Sequence, residues 1–353
     1  MSSFIHFGCW NYKTCPGNDF EQILYNINML CKQKDYVFLS VAGDNYYPQK
    51  NAKKQKFIWL QDLLAGFKCL KNININKKYI LLGNHDVTPD KIINDNIEDT
   101  NCTILENEIN AADPYNIITK EHVLLSHTLV IFIDTSFYED KSDKYMNCYS
   151  KIASYTNKQL NELMELQYNY VINQITNMKS NIKNIIIIGH HPLTCIKNKK
   201  NTDILLKYNN HHSKFIKLLY DAFSIHKDKS NYYLCADLHL YQKNEIVINN
   251  NNNNNNVAFT QYIVGIGGTK LDELPKINNT IIDHELAVDD YKIFLKTYPS
   301  VKKHGFLEVT EINDGMLTFM PHFIINGGQT NKRRKNIMKK KNTKRKTLKK
   351  KKH

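Results

Sequence analysis

Apolar and polar positions change period repeatedly along the chain, and each change marks an element. Short unbroken apolar runs at 3–8, 36–42, 78–82, 128–134 and 184–189 predict buried strands. Between the first two, Phe20, Ile23, Leu24, Ile27 and Leu30 keep helical spacing behind Asp19, a residue type suited to an N-cap. Leu160, Leu163, Met164, Tyr168, Val171, Ile175 and Met178 predict a longer helix, and 51–70 and 211–225 predict two more. Beyond residue 230 the pattern turns strand-rich, at 231–236, 243–249, 257–266, 304–312 and 315–325. The expected architecture is α/β: one domain, residues 1–328, built as a two-sheet sandwich flanked by helices. The eight consecutive asparagines at 249–256 are read as a solvated loop insertion, and Gly327-Gly328 as the end of the fold.

Charge sharpens this picture. Fourteen of the 48 basic residues fall in 332–353, where there is no Asp or Glu, which leaves 34 basic against 34 acidic residues in the rest. Residues 329–353 are therefore expected to be a disordered Lys/Arg-rich tail. Such a tail can hold nucleic acid or another polyanion without sequence specificity, or act as a nuclear address. All three arginines (Arg333, Arg334 and Arg345) lie there, so an anion site in the body must use Lys, His, backbone N–H groups or metal ions. No apolar run is long enough to span a bilayer. The first residues carry no basic stretch or cleavage site, so an intracellular protein is expected, with nucleus or viral particle as destinations that fit the tail. The eight cysteines, spread singly, are read as reduced thiols.

The chemistry sits where strands end. The second strand closes in Gly43-Asp44-Asn45-Tyr46-Tyr47, the third in Gly83-Asn84-His85-Asp86, a later one in Gly189-His190-His191-Pro192, and the 231–236 strand in Ala236-Asp237-Leu238-His239. Loops at strand C-termini are where α/β folds gather side chains from distant positions. Imidazole and oxygen donors converging there suit two divalent or trivalent cations. Singly each motif can be an ordinary turn, and His211-His212 is read as surface polar sequence. The ordered set carries the signal.

This order resembles the calcineurin-like metallophosphoesterases, and within them the small tartrate-resistant type of purple acid phosphatase. The resemblance covers residues 3–325 and takes in Ile133-Asp134-Thr135 and the closing His239-x-x-Gln242. It implies a phosphomonoesterase with two metal ions, iron paired with iron, zinc or manganese, acting on a phosphorylated small molecule or protein. By the same resemblance Asp44 bridges the metals, Tyr47 and His239 complete the first site, and Asn84 and His190 hold the second. His85 serves as proton donor or charge stabiliser above the phosphate, oriented by Asp86. Two positions depart from the pattern. Cys9 stands where the first motif has Asp, and Asp237 where the last has His; both can still ligate, as thiolate and carboxylate. Lys197, Lys199 and Lys200 occupy a loop that often carries another His. The competing reading is a catalytically silent scaffold of the same fold, attached to a polyanion by its tail.

Overall fold

The computed structural model describes residues 1–11, 19–47, 56–88, 102–112, 120–152, 155–199, 202–205, 211–252, 255–276 and 279–324. Strands β1 (Ser2–Phe7), β2 (Phe38–Ala42), β3 (Lys78–Leu81), β14 (Gly305–Glu311) and β15 (Leu317–Phe323) form one sheet in the order β15-β14-β1-β2-β3. The second has eight strands: β4 (Lys120–Leu124), β5 (Thr128–Ile133), β6 (Asn184–Ile188), β9 (Ser230–Cys235), β10 (Tyr241–Asn250), β11 (Asn255–Val264), β12 (Ile282–Val288) and β13 (Tyr291–Thr297). Their order is β12-β13-β10-β11-β9-β6-β5-β4. A small hairpin, β7 (Ile196–Lys199) and β8 (Thr202–Leu205), stands apart. The two-sheet α/β sandwich expected from the sequence is the fold.

Burial explains the unbroken apolar runs. Ile186 and Ile188 of β6 point into the core between the sheets with Phe4, Phe38, Ile80 and Phe132. Ile185 and Ile187 point the other way, under α5 (Leu160–Thr176) and α6 (His212–Ser224), with Leu163, Val171, Ile175 and Phe215. A strand covered on both faces needs no polar alternation. Phe38 meets Phe132 across the sheets at 5.8 Å between ring centroids. In each sheet the central strands β1-β2-β3 and β5-β6-β9 run parallel, so their carboxyl ends cluster.

The helices foreseen at 19–31, 160–176 and 212–224 are present, and α2 (Lys56–Lys71) matches the described part of the fourth. Two more, α3 (Thr103–Ala112) and α4 (Ser142–Tyr149), were not foreseen, nor was the β12–β13 hairpin.

Three expectations are corrected. The asparagine run is not a loop throughout: Asn249 pairs with Asn256 and Asn250 with Asn255, so four of its eight residues are strand, because the β10–β11 ladder needs only backbone groups. The cysteines are not all reduced thiols. Cys102 and Cys148 are disulfide-bonded with Cα atoms 5.3 Å apart, 46 residues distant in sequence, and Cys69 is also disulfide-bonded. Folding, not spacing, brings such pairs together, and the cysteine argument for a reducing compartment falls. Finally, His212 is not surface sequence: it is buried, and its Nε2 donates to Leu193 O at 2.8 Å. The tail, Gly327-Gly328 and Lys200 lie outside the described residues. Among the described residues no helix is long and apolar enough to cross a membrane.

Candidate metal centre

Each site loop begins where a strand ends, and three of them turn at a left-handed residue. Cys9 follows β1 with φ 55°, Asp44 follows β2 with φ 51°, and Asp237 follows β9 with φ 55°. Non-glycine residues rarely adopt this conformation, and at a strand end it swings the side chain off the sheet. Gly83, after β3, is required for another reason. A Cβ there would stand 2.4 Å from Asp44 Oδ1 and 2.8 Å from His190 Cε1.

The Asp44 carboxylate is the centre, and its oxygens face different groups. Oδ2 accepts the Tyr47 hydroxyl at 2.6 Å and lies 4.0 Å from the Cys9 thiol. Oδ1 accepts the His85 backbone N–H at 3.1 Å and lies 3.3 Å from His190 Nε2. His239 joins the first side, its Nε2 3.0 Å from the Tyr47 hydroxyl. Asp237 joins the second, its Oδ1 3.9 Å from His190 Nε2. Donor atoms of Cys9, Asp44 and His239 lie within 4.8 Å of one another, as do those of His190, His191 and Asp237.

Hydrogen bonds to carbonyls fix the proton on both outer imidazoles. His190 Nδ1 donates to Ala42 O at 2.6 Å, and His239 Nδ1 donates to Lys270 O at 3.0 Å. A carbonyl only accepts, so Nδ1 carries a hydrogen in each ring, and Nε2 is the nitrogen left to take a further proton or a cation. A bare lone pair facing a buried carboxylate is repulsive unless a proton or a cation stands between them. Burial alone would lower the His190 pKa, but Asp44 and Asp237 outweigh it and raise it to about 10. Burial likewise opposes the charge on Asp44, but His190 and His85 hold its carboxyl below the ordinary range. Burial first and Asp44 second push both the Tyr47 phenol and the Cys9 thiol up. Asn84 Oδ1 is buried with no hydrogen-bond partner among the described residues, and so is His190 Nε2. Oxygen, imidazole and thiol donors with two orphaned acceptors fit cations.

The structure thus brings together Cys9, Asp44, Tyr47, His190, Asp237 and His239. His85 stands exposed at the mouth, its ring 4.7 Å from that of Tyr47. Asp86 does not orient His85 as expected. Its Oδ1 accepts Asn45 N at 2.8 Å, and its Oδ2 accepts Gly83 N at 2.7 Å and Asn45 Nδ2 at 3.0 Å. The carboxylate is saturated by the two turns it ties together. Burial and then Asp44 raise its pKa to about 7. Glu108 of α3, fully buried beside it, is pushed up by burial and then by Asp86.

Sequence reasoning missed several supports. Asn45 accepts Trp10 Nε1 at 3.0 Å and donates to Leu81 O at 2.9 Å, locking the first two motifs together. Asp272 accepts the His239 backbone N–H at 2.9 Å and lies 3.5 Å from Lys197 Nζ. Asn45 stands inside the Gly43–Tyr47 motif and Trp10 directly follows Cys9; Asp272 lies in a stretch with no pattern to mark it.

The profile of the calcineurin-like phosphoesterases matches residues 2–241. The chain belongs to the calcineurin-like phosphoesterase family. No curated protein sequence matches it. Among solved structures, a purple acid phosphatase from yellow lupin (Lupinus luteus) seeds aligns with a TM-score of 0.53 at 11% identity, over 91% of this chain and 51% of that one. A dimetal phosphatase from Danio rerio aligns at 0.47 and 10% identity, over 91% and 96%. Only the first is close enough to speak for the fold, and it speaks for the fold alone. The chain spans about half the length of the lupin phosphatase.

Proposed function

We propose that the chain is a phosphomonoesterase whose water nucleophile is activated at a pair of metal ions. The observation that carries this reading is the convergence of His190 Nε2 and His239 Nε2 on opposite sides of the Asp44 carboxylate, each with Nδ1 tied to a carbonyl. Family membership supports a two-metal site.

Asp44 would be shared between the ions, one oxygen toward each. Cys9, Tyr47 and His239 would hold the first with Asp44 Oδ2; Asn84, His190 and Asp237 would hold the second with Oδ1. A phenol and a thiol on the first side favour iron there, with iron, zinc or manganese on the second. When bound, the pair supplies Lewis acidity toward a phosphoryl oxygen and acidifies water. The protein's part is positional. Asp86 and Asn45 fix the turns that carry Asp44 and Asn84, and the His85 backbone N–H holds Asp44 Oδ1 in place. The exposed His85 imidazole is placed to give a proton to a departing alkoxide. Lys197, held by Asp272 beside His239, would meet an anionic substrate, and the 332–353 tail would attach the enzyme to a polyanion.

Purified protein supplied in turn with iron, manganese and zinc should hydrolyse an aryl phosphate. Asp44→Asn, which removes charge from both sites, should lower the rate at least ~100-fold. Fewer than one metal per chain, with hydrolysis no greater than in Asp44→Asn, would leave only the scaffold.

A further inference from the structure

Lys197 is the second residue of β7, and the backbone on both sides of it is pinned by side chains from elsewhere. Gln242 holds Ile196 at N and at O, at 3.3 and 3.1 Å. Asn198 donates from Nδ2 to Leu274 O at 2.9 Å. Across the hairpin Lys197 pairs with Ile204, and Asp203 of β8 accepts Lys276 N at 2.8 Å. The Lys197 ammonium then lies 3.5 Å from Asp272 Oδ2, the same oxygen that accepts the His239 backbone N–H at 2.9 Å. One carboxylate joins a fixed ammonium to the backbone of a candidate metal ligand.

A structural tie alone does not explain this lysine. The pair with Asp272 is loose and the Lys197 side chain is 34% exposed, so it adds little to stability. Burial by itself would lower the Lys197 pKa, but Asp272 and then Asp237 outweigh it and raise it. The ammonium is therefore charged, and it stands in the field of Asp237 as well as of Asp272. It carries three N–H donors, and one carboxylate oxygen at 3.5 Å does not use them all. Lys199, on the same face of β7, and Lys270 are exposed, whereas Lys197 is partly buried.

The centre has a use for such a charge. Asp44 and Asp237 bring negative charge, and Cys9 and Tyr47 bring more when they bind as thiolate and phenolate. Cations held by these groups are largely neutralised, which leaves little attraction for a substrate that is itself an anion. All three arginines lie in 332–353. We propose that Lys197 is a substrate-binding residue that takes a terminal phosphate oxygen and sets a preference for phosphate monoesters over diesters. This rests on the phosphomonoesterase reading and adds what selects the ester class. A monoester presents three acceptor oxygens and close to two negative charges, whereas a diester presents two oxygens and one charge. A compact point charge with rotatable donors gains more from the first.

The test uses the full-length protein loaded with zinc, and inorganic phosphate as the probe. In titration calorimetry Lys197→Met should bind phosphate about 10-fold more weakly than wild type, the size expected of one charge-assisted hydrogen bond. Its zinc stoichiometry should not change, because Asp272 keeps its bond to His239. Lys197→Arg keeps the charge and should recover phosphate affinity to within about 3-fold. With aryl phosphates, Lys197→Met should raise KM about 10-fold for the monoester and less than about 3-fold for the diester. In wild type with ¹³C-dimethylated lysines, phosphate should shift the Lys197 methyl resonance, assigned by its absence from Lys197→Arg. Unchanged phosphate affinity in Lys197→Met, equal losses for monoester and diester, or an unmoved methyl resonance each overturns the inference, while zinc binding and hydrolysis uphold the two-metal reading. Zinc lost together with phosphate would make Lys197 a structural tie and overturn it as well. A wild type that binds no zinc, iron or manganese overturns both.

Discussion

At the scale of single residues, the clearest consequence of the site is a proton that must leave. His190 is raised to about 10, because Asp44 and Asp237 outweigh the burial that lowers it. The folded value lies above the ordinary 6.5, so the stability this proton gives is complete below pH 6.5 and is lost as pH rises through 10. At pH 8 the metal-free protein therefore keeps a proton on Nε2, where a cation needs the lone pair. Zinc uptake should release at least one proton, and affinity should climb about tenfold per pH unit below 10. Titration calorimetry in two buffers of unlike ionisation enthalpy counts the protons; His190→Gln should release one fewer. An unchanged count would place the cation elsewhere. The candidate ligands were legible because Asp44, Asn84, His190 and His239 each follow an apolar run, and a polar residue there needs a purpose. Asp86 was misread for a physical reason: its three bonds go to Asn45 and Gly83 across 41 and 3 residues, and no local pattern records which donor a carboxylate finds.

At the scale of elements, the loop after β6 is held by side chains from elsewhere, and that is what makes it a site rather than a turn. Gln261 accepts Leu193 N at 2.8 Å and donates to Thr194 O at 2.8 Å. Gln242 treats Ile196 the same way, at 3.3 and 3.1 Å, and His212 takes Leu193 O. Two buried amides act as extra rungs joining the loop to β10 and β11, and they carry β7 to its place by Asp272. Gln261→Leu would remove the acceptor of the buried Leu193 N–H, which should cost roughly 2 kcal/mol. Denaturant unfolding measures this; a loss under about 1 kcal/mol would mean the loop holds itself. None of this could be read from periodicity, because Gln242 and Gln261 interrupt apolar strands and look like exposed positions. The strong elements were legible where the apolar period is long, as in α5. Short ones such as α3 owe their form to packing. The β10–β11 ladder reaches Asn249, Asn250, Asn255 and Asn256 because, flanked by β13, it extends in register regardless of side chain.

At the scale of the molecule, the site is a seam. Cys9, Asp44 and Asn84 follow strands of the five-stranded sheet; His190, Asp237 and His239 follow strands of the eight-stranded one. Cations bound across this seam would join the sheets at the one end where the apolar core between them gives way to charge. Binding to the folded state alone stabilises it by about 2.7 kcal/mol at a free ion concentration one hundred times the dissociation constant. For a domain of this size, that should raise the thermal midpoint by about 5 °C. Because the ligands belong to both sheets, the gain should appear as a shift of one cooperative transition, with amide exchange slowed together at the ends of β2 and β9. Asp44→Asn should lose the whole metal-dependent increment. Its metal-free form should also melt below the metal-free wild type, since the buried His190 imidazolium loses the carboxylate that offsets its burial, a loss of about 3 kcal/mol. Stoichiometric zinc with an unchanged midpoint, or protection confined to one sheet, would mean that the ions sit on one side of the seam and that Asp44 bridges nothing.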